Sequence, residues 1–218
     1  MTRSGIIGAV AAVVIVGGGA AYLATKEDNN GAQNTSQQSS GNSTAGEGTF
    51  APVSTKGLAF EATISTAGGP SEISEAKLEY DGKDKTRYSA IVNGNTTQFI
   101  YTTDAYYSCA DNECLKFPNT QSGTSGFNPS DYEYDEAKIA DRKDKSTYKG
   151  KKDCPAGTCD VYEVNVDSAV STFYIDTKTK RISQVEGTVS GVTSKIVYNY
   201  KNINIEVPAN AKELPIGQ

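Results

Sequence analysis

The sequence predicts a mainly β (α+β) fold, in which a curled antiparallel sheet or half-barrel carries one or a few covering helices. From residue 58 onward, short runs of alternating apolar and polar residues recur, separated by turn-forming residues. Two closely spaced cysteine pairs lie between strand-like runs. An uncharged run of 21 residues and then a polar tract precede the sheet. We therefore expect an N-terminal transmembrane helix and a disordered linker ahead of the β domain.

The uncharged run is Gly5–Thr25, GIIGAVAAVVIVGGGAAYLAT. At about 1.5 Å per residue, a helix of this length matches a hydrocarbon core roughly 30 Å thick. Arg3 is the only charge before it, which predicts a cytoplasmic N-terminus and an extracytoplasmic domain. We interpret residues 1–25 as a single-pass anchor in the cell membrane, with residues 5–25 in contact with lipid. The alternative is a cleaved signal peptide, which would leave a secreted or periplasmic domain.

Residues 26–52 are rich in Asn, Gln, Ser, Thr and Gly, and no aromatic or branched aliphatic residue precedes Phe50. Such a segment cannot bury enough apolar area to offset its conformational entropy, so it is predicted to be a disordered linker. Residues 53–218 remain, which is the length of one domain.

Strands are predicted from period-two alternation, and the connections of two to five residues between them favour antiparallel neighbours. The predicted strands are Leu58–Thr66, Ser74–Tyr80, Thr86–Val92, Thr97–Tyr101, Ala105–Cys109, Asp160–Val166, Val170–Asp176, Arg181–Val189 and Lys195–Ile205. Asp81-Gly82 and Asp176–Lys180 are predicted turns. Pro129–Arg142 is the one predicted helix, and Lys143–Lys152 is interpreted as solvated loop charge. Such a series of strands must cover its edges and its apolar face, which a barrel, a sandwich or a half-barrel over the helix could each do. The position of the helix within the strand order favours the half-barrel.

Composition excludes several functions. The chain has no histidine, so it cannot run a Ser-His-Asp or Cys-His mechanism or offer imidazole to a metal. Its mildly acidic balance, −5 overall, argues against nucleic acid and against anionic lipid head groups as partners. The acidic cluster Asp131, Glu133, Asp135 and Glu136 lacks calcium-loop spacing and is interpreted as a helix start. We expect no enzyme activity, no cofactor and no metal.

The four cysteines form two pairs of identical spacing, Cys109-x₄-Cys114 and Cys154-x₄-Cys159. Each pair brackets turn-forming residues between strand-like flanks, where a hairpin brings the two side chains together. Oxidation is expected outside the cytoplasm, so we predict the disulfides Cys109–Cys114 and Cys154–Cys159. A four-thiolate zinc site is the less favoured alternative, because four intervening residues are the upper limit for such a site.

Two long stretches, within Leu58–Pro118 and Val161–Pro208, share a common pattern of turns and strands. The pattern runs from LEYDGKDKTRYSAIVNGNTTQFIYTTDAYYSC to LKFP, and then through STFYIDTKTKRISQVEG to IVYNYKNINIEVP. It resembles the LolA/LppX-like family of periplasmic lipoprotein carriers and related exported domains. The resemblance implies a half-barrel covered by helices, with an apolar cavity able to take acyl chains. Family members usually begin with a helix that helps cover the cavity, whereas the linker occupies that place here.

Eight apolar side chains are the candidate ligand-binding residues: Phe60, Ile64, Leu78, Tyr88, Phe99, Tyr101, Phe173 and Tyr198. On the concave face of a half-barrel they could hold a lipid or a lipidated partner. Alternatively, they are a filled core, and the domain is a non-enzymatic structural or interaction module of the cell envelope. An open apolar cavity would favour the first hypothesis and a filled interior the second.

Overall fold

The computed structural model describes residues 48–68, 75–92, 95–110, 113–118, 129–166, 169–189 and 191–213. The predicted membrane segment and residues 26–47 of the predicted linker lie outside the described residues. Within the described ranges, no helix has the length and apolar character needed to cross a membrane.

In the described part of the chain, twelve strands form one curled, mainly antiparallel sheet that does not close into a barrel, which confirms the predicted mainly β fold with a curled sheet. The strands are β1 (Phe60–Ala67), β2 (Glu75–Tyr80), β3 (Thr86–Val92), β4 (Asn95–Tyr101), β5 (Ala105–Ala110), β6 (Glu113–Pro118), β7 (Ser146–Cys154), β8 (Gly157–Val166), β9 (Ala169–Asp176), β10 (Ile182–Val189), β11 (Val192–Asn199) and β12 (Lys212–Glu213). Their order across the sheet is β12-β6-β5-β4-β3-β2-β1-β11-β10-β9-β8-β7. Neighbours are antiparallel except β12 and β6, which are parallel.

The two faces of the sheet differ in polarity, as the alternation in β1 shows. Phe60, Ala62 and Ile64 are buried, while the residues between them are only half-buried. We call the side that carries Phe60 and Ile64 the inner face and the opposite side the outer face. Cross-strand partners point to the same face, so the register of each pair assigns the remaining side chains.

The predicted turn at Asp81-Gly82 opens a loop between β2 and β3. The Asp81 carboxylate accepts hydrogen bonds from the backbone N–H groups of Lys83, Asp84 and Lys85. Gly82 has a φ of +80°, and a Cβ there would lie 2.8 Å from the carbonyl oxygen of Gly57. Only glycine fits both the backbone conformation and the close approach.

The helical segment is shorter than predicted. A 3-10 turn covers Pro129–Asp131, and α1 spans Glu136–Lys143. The predicted single helix from Pro129 is wrong, because a turn at Tyr132 and non-helical residues 133–135 separate the 3-10 turn from α1. Tyr132 and Tyr134, two residues apart, are both buried. Asp135 caps α1, and its side chain accepts a hydrogen bond from the backbone N–H of Lys138.

Two other boundaries also differ from the prediction. Lys143–Lys152 is not a loop, because Ser146–Cys154 forms β7 and pairs with β8. The predicted strand Lys195–Ile205 ends early, at Asn199. The chain then leaves the sheet, and Ile205 is buried with Ile100 and Tyr107 in a cluster apart from the main core. Burial of Ile205 there favours departure over continued pairing.

Both predicted disulfides are present, Cys109–Cys114 and Cys154–Cys159. The first joins β5 to β6 and the second joins the hairpin of β7 and β8. Each therefore staples a hairpin at one end of the strand order. The described part of the chain contains no free cysteine.

Candidate ligand-binding face

The eight candidate residues all lie on the inner face. Across the centre of the sheet, Ala62 pairs with Leu78, Leu78 with Tyr88, and Tyr88 with Phe99. In the other direction, Ala62 pairs with Tyr198. Phe60 pairs with Tyr80, Tyr80 with Thr86, and Thr86 with Tyr101, so Tyr101 is on the inner face with Phe60. Ile64 pairs with Ile196, Ile196 with Val185, and Val185 with Phe173, so Phe173 is on the inner face with Ile64. The period-two pattern thus predicted a continuous surface.

Most of this surface is packed against the protein itself. Six of the eight residues are buried in the main core, whereas Phe99 and Tyr101 are half-buried. The six are Phe60, Ile64, Leu78, Tyr88, Phe173 and Tyr198. The inner face is therefore a filled core from β9 to β3, across β10, β11, β1 and β2.

Two segments that the sequence did not assign to the site cover this core. We call residues 48–56 and 129–144 the cover. Phe50 contacts the rings of Tyr162 and Phe173 edge-on, each at a centroid distance of 5.5 Å. Tyr134 contacts Phe173 at 5.6 Å and Tyr198 at 6.4 Å. These edge-to-face contacts are the arrangement that aromatic rings prefer.

Hydrogen bonds hold the two parts of the cover together, and a buried cation packs within the second part. The backbone N–H of Thr55 donates to the carbonyl oxygen of Tyr134 at 2.9 Å, and the backbone N–H of Tyr134 donates to Thr55 Oγ1 at 2.9 Å. The buried guanidinium of Arg142 lies 5.7 Å from the Tyr134 ring centre and donates to the carbonyl oxygen of Lys138. The cover is therefore one connected unit.

Phe50 shows that the packed unit begins before the predicted domain start at residue 53. Its side chain is 1% exposed, although the sequence placed it in the disordered linker. Phe50 is the first aromatic residue after the polar tract, and that change in composition was the available signal. The burial of a phenylalanine ring stabilises the attachment of residues 48–52 to the sheet.

The inner face of β4, β5 and β6 is different. The rings of Tyr101, Tyr106 and Phe117 stack in sequence, with centroid distances of 6.2 and 4.5 Å. Phe99 and Leu115 lie beside this stack through their pairs with Ser108. We call the set Phe99, Tyr101, Tyr106, Leu115 and Phe117 the aromatic patch. All five are half-buried, and of the five only Phe99 packs against a core cluster of described residues.

The tyrosines near the patch stay uncharged. Burial, with a smaller effect of Tyr106, raises the pKa of Tyr101 to about 12. Burial, followed by the neighbouring Tyr101, raises the pKa of Tyr88 to about 12. Burial also raises the pKa of Tyr132 far above its ordinary value. At neutral pH these groups therefore offer apolar rings and neutral hydroxyls.

One of these hydroxyls is unsatisfied among the described residues. The Tyr132 hydroxyl is buried, and no described atom forms a hydrogen bond with it. A buried hydroxyl without a partner is costly, because it loses its hydrogen bonds to water. The Tyr132 hydroxyl can therefore donate to an acceptor that is brought to the inner face.

The predicted acidic cluster has local structural roles. The Glu133 carboxylate accepts a hydrogen bond from the backbone N–H of Gly57 at 2.7 Å, and Asp135 caps α1. Asp131 closes the 3-10 turn, and Glu136 opens α1. Among the described residues, no group of three or more Cys, Asp or Glu side chains is placed to hold a metal ion.

Two open clefts lie away from the aromatic patch. One of about 930 Å³ is bordered by the β4–β5 turn and by Lys116, Val207 and Glu213. Another of about 520 Å³ lies beside the β9–β10 turn and is bordered by Arg181 and Tyr198. Of the eight candidate residues, Tyr198 borders the second cleft and the other seven border neither.

Several solved structures are similar to this chain, at low sequence identity. LprF from Mycobacterium bovis matches with a TM-score of 0.53 and 12% identity, over 72% of this chain and 91% of that chain. The lipoprotein LppX from Mycobacterium tuberculosis matches with a TM-score of 0.48 and 10% identity, over 71% and 92%. A LolA superfamily protein from Nitrosomonas europaea matches with a TM-score of 0.28 and 8% identity, over 69% and 87%.

Comparisons of the amino-acid sequence with known proteins give no match. No protein-family model matches it, and no curated protein matches it. The fold assignment rests on the structural match to LprF, which confirms the predicted LolA/LppX-like fold.

Proposed function

We propose that this domain binds an apolar ligand, an acyl chain of a lipid or of a lipidated partner, on the aromatic patch of its inner face. The observation that carries the proposal is the stack of Tyr101, Tyr106 and Phe117, three half-buried rings beside a packed core. Transfer of apolar surface from water onto such rings is favourable. The LolA/LppX-like fold supports the same proposal.

The size of the patch limits what it can hold alone. Three strands at about 4.8 Å spacing and two residues along each give an area of roughly 10 by 7 Å. Five or six methylene groups buried there contribute about 4–5 kcal/mol, which corresponds to a dissociation constant near the millimolar range. Tight binding therefore requires a longer chain, which continues beneath the cover and displaces part of it.

The Tyr132 hydroxyl suits the polar end of such a ligand. It is buried beside the inner face and is unpaired among the described residues. An ester or amide carbonyl oxygen that accepts from it would restore a buried hydrogen bond worth about 1 kcal/mol. An acyl ester or amide thus fits better than a bare hydrocarbon.

We also propose that residues 5–25 hold the domain outside the cytoplasm as a membrane anchor. Two disulfides support an oxidising compartment. The uncharged length of the segment supports retention in the bilayer. Protease added to cells stripped of any outer membrane and cell wall should cleave the domain, and a domain protected by the cytoplasmic membrane would contradict this placement.

The experiment for ligand binding is native mass spectrometry of the full chain after gentle detergent extraction, followed by analysis of the released lipids. We expect bound acyl species, and their loss in the double variant Tyr106→Ser/Phe117→Ser. The matched control is Val170→Ser/Tyr174→Ser, which changes an exposed and a half-buried residue on the outer face. Repeatedly empty spectra, or equal loss in both variants, would contradict the proposal.

A second function is favoured by the filled part of the inner face. Six candidate residues are buried by the chain's own cover, as in a structural or interaction module of the cell envelope. In that case the wild-type chain carries no lipid, and exposure of the inner face by Phe50→Ala lowers stability without creating lipid binding. Retained lipid in the wild-type chain would exclude this second function.

A further inference from the structure

Strand β7 forms one edge of the sheet and is unusually basic. Among the described residues it pairs with β8 alone. It carries Lys149, Lys151 and Lys152, and all three side chains are exposed. We call these three residues the lysine edge. Lys149 lies 3.3 Å from the carboxylate of Glu163, and the described residues contain no ion pair for Lys151 or Lys152.

The described chain begins at this same edge. Gly48 lies on Tyr148 of β7, so closely that a Cβ at Gly48 would be 2.5 Å from a ring carbon. Phe50 lies further in, against Tyr162 of β8 and Phe173 of β9. From residue 50 back to residue 48, the chain therefore runs outward toward β7. The linker attaches to the domain beside the lysine edge.

Charge on the rest of the protein has the opposite sign. The net charge after the predicted anchor is −6, because Arg3 is the only charge before Lys26. Around the lysine edge, exposed Lys143 adds positive charge, and Asp144 and Asp153 add negative charge. Lys145 is neutralised by its ion pair with Asp141 at 2.7 Å. The side chains left unpaired in the described part of the chain, three lysines and two aspartates, leave a small positive excess. An acidic domain is repelled by an anionic surface, so it can approach one only through a face that is locally basic.

We propose that the lysine edge rests on anionic lipid head groups of the membrane that holds the anchor. This inference rests on the proposed anchor but not on the proposed acyl ligand. The segment from Lys26 to Glu47 is 22 residues long, and a Gly/Ser-like chain of that length spans about 26 Å on average. That distance keeps β7 near the surface, where each lysine increases the membrane-apposed population about fivefold. Apposition would orient the domain with β7 toward the lipid.

A different role for the same lysines has distinct consequences. Lysines on an edge strand also prevent pairing with a second β-strand, since their charge opposes a close approach of another chain. If that were their whole role, their removal would cause self-association and leave the orientation unchanged. Orientation and self-association must therefore be measured on the same samples.

The test uses the full chain in nanodiscs that contain phosphatidylcholine alone or a mixture with phosphatidylglycerol. The protein has no tryptophan, so one introduced by Thr147→Trp reports on β7. Ile91→Trp reports on an exposed position of β3, seven strands away in the sheet. Lipids spin-labelled at the head group quench whichever tryptophan lies near the surface.

The lysine variant is Lys149→Gln/Lys151→Gln/Lys152→Gln. The matched control removes three other exposed lysines, Lys56→Gln/Lys83→Gln/Lys178→Gln, so both variants change the net charge equally. Size-exclusion chromatography of each sample reports self-association. Lipid content, measured as for the proposed ligand, is followed separately.

We expect the tryptophan at position 147 to be quenched in anionic nanodiscs at least severalfold more than that at position 91. High salt and the lysine variant should each abolish this difference, whereas the matched control should keep it. Equal quenching at both positions, or quenching unaffected by the lysine variant, overturns the inference. A chain that does not stay with the nanodisc overturns both this inference and the anchor. If the extracted chain carries no acyl ligand but the domain is oriented as expected, only the acyl-ligand proposal is contradicted.

Discussion

The two parts of the inner face are made from similar residues but are in different states. From β9 to β3, aromatic and aliphatic side chains are buried beneath the cover, and Phe60 and Leu78 have no exposed surface. On β4 to β6, the stacked rings of the aromatic patch remain half-buried. Because both parts continue one alternating pattern, apolar sequence alone does not distinguish core from a binding surface. The cover makes that distinction.

Removal of an aromatic ring from the cover gives the largest expected effect. Phe50→Ala leaves a cavity between Tyr162 and Phe173 and should destabilise the domain by about 3–5 kcal/mol. Phe117→Ala, in the aromatic patch, removes a half-buried ring and should cost about 1 kcal/mol. Denaturant unfolding of both variants measures the difference. Equal costs would show that the patch is as much a part of the core as the cover.

The sequence predicted the sheet well but missed the cover, and the reason is physical. Alternation along a strand depends on neighbours two residues away, so residues such as Phe60 and Ile64 were assigned to one face without knowledge of their partners. Phe50 follows a polar tract, and Tyr132 and Tyr134 lie among acidic residues. None of these three belongs to a periodic run, and their burial depends on contacts with distant strands.

The same limit explains the two wrong boundaries after residue 142. The lysines of β7 have low strand propensity, and their strand exists because β8 pairs with it. Residues 200–205 have the alternation of a strand, but Ile205 is buried instead beside Ile100 and Tyr107. Local pattern predicted the available conformations, and long-range packing selected among them.

The disulfides offer a second comparison, because one staples each end of the sheet. Cys159 is completely buried, whereas Cys109 and Cys114 are half-buried. Loss of either cross-link should cost about 2 kcal/mol through the entropy of the unfolded chain. Cys154→Ser/Cys159→Ser should cost about 1–2 kcal/mol more, because it buries a serine hydroxyl.

Denaturant unfolding of both double variants checks this order. Cys109→Ser/Cys114→Ser also loosens the hairpin that carries Tyr106 and Phe117, so it should weaken acyl binding more than the other variant. Stronger loss of lipid in Cys154→Ser/Cys159→Ser would move the binding surface away from the aromatic patch.

Tyrosine ionisation gives a third way to compare the two parts. Burial raises the pKa of Tyr88 and Tyr101 from 10.0 to about 12. Above pH 10, the unfolded chain ionises these tyrosines before the folded chain does, so the unfolded state binds fewer protons. Folding stability should therefore fall as pH rises from about 10 to about 12 and be unaffected by these groups below that range.

Tyrosinate absorbance of Tyr88→Phe and Tyr101→Phe variants assigns the two titrations. A bound acyl chain should raise the pKa of Tyr101 further, since it completes the burial of a half-buried ring, and should change Tyr88 less. An unchanged Tyr101 titration in lipid-loaded protein would show that the ligand does not reach the patch.

The smallest effect concerns the turn that anchors the cover. Lys180 has a φ of +57° and is the only non-glycine residue with positive φ among those described. Its carbonyl oxygen accepts a hydrogen bond from the backbone N–H of Val53, in the cover. A lysine in this conformation costs about 1–2 kcal/mol, and a glycine there costs about 0.5–1 kcal/mol in chain entropy. Lys180→Gly also removes the exposed ion pair between Lys180 and Asp160 at 3.4 Å, which is worth less than about 0.5 kcal/mol. The variant should therefore stabilise the domain by up to about 1 kcal/mol.

Lys178→Gly in the same turn is the matched control, because Lys178 is equally exposed but has no positive φ to relieve. It should destabilise by the entropic cost alone. If the cover limits access of a long acyl chain to the inner face, the firmer anchor of Lys180→Gly should also slow lipid uptake relative to the control. Faster uptake in Lys180→Gly would mean that the cover does not gate the inner face through this turn.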